Sequence, residues 1–190
     1  MLNDSDKDAL LRFARLSLES RLKKTKAPAL NAVSEELLSR KGAFVSLHSS
    51  KELRGCIGLI YPDQELYRVV QHCVLSAAFE DGRFSPVTLE ELRDLEIEIS
   101  VLSPLHRIQS IEEIEVGLHG LYMVQGVYRG LLLPQVATEY GWDRIEFLEH
   151  TCLKSGLPQS AWQDPKTAIN IFEAEIFSES LRSEESTQEQ

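Results

Sequence analysis

Two β-prone apolar runs, Gly42 to Leu47 and Leu53 to Tyr61, are joined only by the polar stretch His48-Ser49-Ser50-Lys51-Glu52. This pattern predicts a hairpin and so commits the chain to antiparallel pairing early. A second hairpin is predicted around Gly126, with arms Leu121 to Gln125 and Val127 to Leu133, ended by Pro134. Between the hairpins, Leu66, Val69, Val70, Cys73, Val74 and Ala77 fall at helical spacing on one face, with Asp63 near the start. Glu96-Ile97-Glu98-Ile99-Ser100-Val101 alternates as a strand with one wet face, and Ala168 to Phe177 reads as the last strand.

Helices are predicted from Ser5 to Lys23, after the capping pairs Thr88/Glu91 and Ser110/Glu113, and from Gln135 to Tyr140. A longer one follows Asp143 and Glu146, carries Ile145, Leu148, Cys152 and Leu153, and closes at Gly156. Strand–helix alternation of the doubly wound kind is missing, so the class is α+β. The order hairpin, helices, strand occurs twice, a duplication of structure without detectable residue identity. One domain is expected over residues 1–179, followed by a disordered polar and acidic tail over 180–190.

The 30 acidic and 20 basic residues give a formal net charge of -10. Nucleic-acid affinity rests largely on basic groups that neutralise phosphates, and anionic membrane surfaces repel the same sign. No nucleic acid and no membrane are therefore expected as partners. The N-terminus lacks a basic segment leading into an apolar run, and no window reaches the ~18 apolar residues of a membrane span. The three cysteines, at 56, 73 and 152, fit neither a disulfide framework nor a zinc ribbon. A cytoplasmic location with reduced thiols is expected.

Cys73 and Cys152 sit on apolar helix faces and read as core. Cys56 differs, because it lies in Leu53-Arg54-Gly55-Cys56-Ile57-Gly58. In a regular strand Arg54 and Cys56 share a face about 6–7 Å apart, and a guanidinium beside a thiol favours thiolate. The alternative is a small apolar filler in a strand. Glu80-Asp81-Gly82-Arg83-Phe84-Ser85-Pro86 is either a solvated connection or a loop presenting Asp81 and Arg83.

These segments together, with Gly42-Ala43-Phe44-Val45-Ser46-Leu47, Gly117-Leu118-His119-Gly120, Arg129-Gly130-Leu131-Leu132-Leu133-Pro134-Gln135-Val136-Ala137 and Phe147-Leu148 leading to Cys152-Leu153-Lys154-Ser155-Gly156-Leu157, resemble the AMMECR family, called AmmeMemoRadiSam system protein A in bacteria and archaea. The resemblance spans about Ser34 to Glu179, with Ser46, Gly82 and Ser155 as small departures from the usual threonine, proline and alanine. It implies a compact α+β domain with a barrel-like, mostly antiparallel sheet, built on a repeated motif, with helices outside. It implies a site around the Arg-Gly-Cys-Ile-Gly strand. It also implies association with a Memo-like protein of dioxygenase fold and a radical SAM protein. Iron–sulfur spacing is absent here, so radical chemistry belongs to a partner, and no cofactor is named by the residues.

The expected catalytic set is Cys56, Arg54 and His119, with Arg54 polarising the thiol or holding an anion and His119 transferring protons. His48 is a rival base whose place before a Ser-Ser turn suggests exposure. Arg83, Arg129 and Gln135 are the expected binding residues for a small anionic ligand; no metal set reaches the ligands zinc requires. Glycines at 55, 58, 117 and 120 would leave room for a ligand. Two readings stand nearly level: a cysteine-dependent enzyme acting on a small anionic or carbonyl substrate, and a non-catalytic module binding a small molecule or peptide. A nucleic-acid regulator ranks last on charge.

Overall fold

The computed structural model describes residues 2–30 and 34–180. It mixes helices with antiparallel strands, in two compact units: residues 1–101 with the chain from Glu175 on, and Leu102–Ala174. The expected tail over 181–190 lies outside the described residues.

In the first unit, α1 (Asp4–Leu22) is capped by Asn3, whose side chain accepts the Asp6 N–H, rather than by Ser5. A single helical turn, α2 (Glu35–Leu38), precedes the hairpin β1 (Ala43–Ser49) and β2 (Glu52–Leu59). At the turn the strands run further than the sequence suggested, because Ser50 and Lys51, both at positive φ, make a two-residue turn, while β2 ends at Leu59, short of the predicted Tyr61. Positive φ at both central residues gives a turn that matches strand twist. The helix predicted near Asp63 is α3 (Leu66–Phe79), which starts without a side-chain cap. A 3-10 turn over Glu91–Arg93 leads into β3 (Leu95–Leu102).

β1 lies between β2 and β3, antiparallel to both. Alternation turns Ala43, Val45 and Leu47 to one side, with their partners Ile97, Ile99 and Val101, where α1 and α3 close over them. Cys73 is fully buried in this core, as expected. The other side of the same strands carries Phe44, Ser46 and His48 and, on β3, Glu96, Glu98 and Ser100.

The second unit repeats this plan. The pair β4 (His106–Arg107) and β7 (Ala168–Ser178, with residues 168–174 in this unit) is antiparallel. β5 (His119–Gln125) lies between β6 (Tyr128–Leu132) and β7. Helices α4 (Pro134–Tyr140) and α5 (Arg144–Lys154) cover one side of these strands, and Cys152 is fully buried there. The predicted capping boxes at Ser110/Glu113 and Asp143/Glu146 are both formed.

The duplication does reach residue identity, contrary to expectation. A Cβ on Gly55 would lie 2.2 Å from the carbonyl oxygen of Ala77, at the end of α3. A Cβ on Gly130 would lie 2.6 Å from the backbone nitrogen of Ser155, at the end of α5. Each glycine follows an arginine, so Arg54-Gly55 and Arg129-Gly130 occupy the same place in the two plans. Glycine is required there by the close approach of a helix end, not by a ligand. Gly58 and Gly120 likewise admit the rings of Phe44 and Phe172, and Gly117 stands at φ +91 with Thr138 Cγ2 3.1 Å from its missing Cβ.

Candidate functional site

The strand that carries Cys56 is irregular at its arginine. Leu47 pairs with Gly55 and His48 with Leu53, which leaves Arg54 without a partner on β1. This is a β-bulge, and a bulge re-aims the side chain of its extra residue. The shared-face argument for Arg54 and Cys56 assumed a regular strand and fails here. The Arg54 guanidinium turns to the segment after α3. Its Nε donates to Glu91 Oε1 at 2.8 Å and its Nη2 to the Ser85 carbonyl at 2.8 Å. Arg54 therefore holds Glu91 below the usual carboxylate range instead of polarising the thiol.

The loop over 81–85 is built into the edge of β2. Cys56 turns its N–H and C=O away from β1, and both are met from this loop. Asp81 Oδ2 accepts the Cys56 N–H at 2.9 Å, and Arg83 Nη2 lies 3.4 Å from the Cys56 carbonyl. Asp81 also accepts Nε, Nη2 and the backbone N–H of Arg83, at 2.9, 2.7 and 3.2 Å. The Asp81 side chain is only 5% exposed, and the Arg83 guanidinium holds its carboxyl far below the usual range against the opposing effect of burial. Arg83 was expected to clamp an anionic ligand; its fork is already filled by Asp81. Phe84 lies against both guanidinium groups, with Cζ of Arg54 at 5.8 Å and of Arg83 at 5.4 Å from its ring centre.

Cys56 faces the side of the strands away from α3. Its register partner Ser46 donates its hydroxyl to Sγ at 3.3 Å, and Glu98 follows across β1 on the same row. Burial pushes the Cys56 thiol up, opposed by the Ser46 hydroxyl and by Arg83 and reinforced by Asp81 and Glu98. The expected thiolate is thus disfavoured, because the guanidinium meant to stabilise it is committed elsewhere while the thiol has lost water. Burial raises Cys73 to about 12, in keeping with a structural thiol.

His48 stands two residues from Ser46 on this same face and is half-buried, with Nε2 shielded and without a partner among the described residues. Its expected exposure is wrong because the turn begins only after Ser49. Glu96 and Glu98 are half-buried as well, so the predicted wet face of β3 is largely covered. His48 was expected only as a rival base, and nothing in the local sequence of Cys56 points to Ser46. The alternation Phe44, Ser46, His48 along the neighbouring strand was the available signal.

The remaining expected residues belong to the second unit. His119 opens β5 rather than standing in a turn before it, and its Nδ1 accepts the Glu115 N–H at 3.0 Å. The free proton of a neutral ring is thereby assigned to Nε2. Arg129 is exposed on β6. Gln135 does not cap α4; its Oε1 is buried without a partner among the described residues. Among those residues no group of three or more His, Cys, Asp or Glu is placed to hold a metal, and no helix is long and apolar enough to cross a membrane.

The sequence and backbone both have known counterparts. The sequence model of the AMMECR1 family matches residues 11–177. Protein NEQ441 of Nanoarchaeum equitans is 40% identical over 177 residues, covering 90% of this chain and 98% of that one. Protein MJ0810 of Methanocaldococcus jannaschii is 42% identical over 177 residues, covering 89% and 88%. The crystal structure of PH0010 from Pyrococcus horikoshii is similar at a TM-score of 0.84 and 41% identity, covering 90% of this chain and 89% of the other. With the match running through both units, the chain belongs to the AMMECR1 family.

Proposed function

We propose that the first unit is a binding module for a small anion, with Arg54 as the donor. The observation that carries this reading is Arg54 Nη1. The Arg54 side chain is 14% exposed, its Nε and Nη2 are held by Glu91 and Ser85, and Nη1 is buried without a partner among the described residues. A shielded guanidinium donor left unmatched costs on the order of 1–3 kcal/mol, which a carboxylate or phosphate oxygen on a ligand recovers. The bulge supports the same view, since bulges concentrate beside functional sites.

The test is thermal stabilisation of the protein at neutral pH by inorganic phosphate or glutarate. Either anion should raise the melting temperature of the native protein and leave that of Arg54→Lys unchanged, because lysine lacks the planar fork. Equal stabilisation of both proteins, or of neither, contradicts the reading. A melting curve of Arg54→Lys checks that the fold survives.

A cysteine-dependent enzyme is the second reading, and one observation favours it. His48 shares the face of Ser46 and Cys56, which puts a base on the same face as the thiol. On this reading the Memo-like and radical SAM proteins implied by the family resemblance supply or consume the substrate. A Cys56→Ser variant that binds anions normally separates the two readings: binding survives in the module, while turnover is lost in the enzyme.

A further inference from the structure

The two units treat the outer edge of their hairpins differently. In the first, the outward N–H and C=O of Cys56 on β2 are taken by Asp81 and Arg83. Charged side chains laid along an edge are a known device for keeping other strands away. In the second unit β6 is the corresponding strand, and its register fixes which groups point outward. Gln125 and Tyr128 close a two-residue turn through Gly126, at φ +60, and Val127. A two-residue hairpin closes on a hydrogen-bonded pair, and bonded and non-bonded pairs then alternate. Gly130 is therefore bonded to Met123, whereas Arg129 and Leu131 present their N–H and C=O away from β5. No hydrogen bond from the described residues meets these groups.

The side chains beside this edge are also unusual for a solvated surface. Val127 is 81% exposed and Tyr128 52%. Tyr128 shares the face of Gly130, on the α5 side, with its ring 3.5 Å from the missing Cβ of Gly156. Arg129 and Leu131 lie on the opposite face of the strand, so an added strand would meet Tyr128 on one face and Arg129 beside Leu131 on the other.

We propose that the β6 edge pairs with an extended segment of a different polypeptide, apolar on the Tyr128 face and carrying a carboxylate opposite Arg129. Backbone bonds to Arg129 and Leu131 supply the affinity, and the two side-chain faces supply the selection. A second copy of this chain fits less well. Two molecules of net charge -10 repel, and the edge of a second copy offers Arg129 an arginine or an apolar side chain, not a carboxylate.

The probe is a blocked peptide alternating valine and threonine with a single glutamate in place of one threonine, followed by amide hydrogen exchange of the full chain. It should protect the Arg129 and Leu131 amides. Leu131→Pro removes one outward donor without touching the β5 ladder, since proline is tolerated on an edge, and should weaken binding by about tenfold or more. The peptide with N-methyl groups along its pairing edge should not bind, and lysine in place of glutamate should bind more weakly. Binding without protection of Arg129 and Leu131, equal binding of the N-methylated peptide, or no binding at all overturns the proposal. A dimer in sedimentation that Leu131→Pro dissolves also overturns it, by making a second copy the occupant.

Discussion

Asp81 accepts the backbone N–H of Cys56 at 2.9 Å through a carboxylate that is also locked to the Arg83 guanidinium. One side chain thus finishes the edge of β2, fixes the loop after α3 and places a negative charge near the Cys56 thiol. The same contact explains why Arg83 is not a spare cation, and it adds to the burial that disfavours the Cys56 thiolate.

Replacing this carboxylate tests the contact through stability. Asp81→Asn should cost about 1–3 kcal/mol at neutral pH, from lost charge-assisted bonds in a buried place. The Asp81 pKa is depressed in the folded protein. Its stabilisation is therefore complete above the unfolded value of about 3.9 and is lost as pH falls from there towards the lower folded value. Urea titrations should show the native protein weakening over that range and Asp81→Asn weakening less. Parallel acid limbs would contradict the assignment.

Gly55→Ala should destabilise the first unit by about 1–3 kcal/mol or more, because its Cβ would meet the Ala77 carbonyl at 2.2 Å and neither backbone can yield cheaply. Gly130→Ala should do the same in the second unit against Ser155. Thermal melts of both variants check this. A neutral Gly55→Ala would mean that the glycine serves a ligand and not the helix end.

Much of this architecture was legible in the sequence, and the reasons are local. The alternation of Glu96 to Val101, the helical spacing of Leu66 to Ala77 and the capping pair Asp143/Glu146 each depend on neighbours within a few residues. The site was less legible because its geometry depends on register. That Arg54 is the extra residue of a bulge follows from how β1 and β2 align, and no periodicity in either strand records it. His48 was misjudged for the same reason: the turn needs only Ser50 and Lys51, so the strand carries His48 onto the face of Ser46. Asp81 was recognised as part of a loop, but its burial under Arg83 is a tertiary fact.

Arg15 is a second test of how the first unit is held. Its Nε donates to Glu179 Oε1 at 2.8 Å, while Nη1 and Nη2 donate to the carbonyls of Leu92 and Leu95 at 3.0 and 2.7 Å. Glu179 Oε2 in turn accepts the Ile97 N–H at 2.9 Å. Arg15→Met keeps the stem and removes every donor, and should cost about 2 kcal/mol. Glu179→Gln should cost less, since an amide oxygen still accepts. A chemical denaturation midpoint unmoved by Arg15→Met would show that these bonds merely replace water.

Cys56 keeps its proton at neutral pH on this account, and the pH dependence of its alkylation tests that most directly. The rate should be read by mass spectrometry on the peptide containing Cys56, so that Cys73 and Cys152 do not contribute. Burial raises this thiol, so the midpoint should lie above the reference value of about 8.5. It should fall in Asp81→Asn, where a repelling carboxylate is gone, and rise in Ser46→Ala, where a donor to the sulfur is lost. A midpoint below the reference would make Cys56 a resting thiolate and return the site to nucleophilic catalysis.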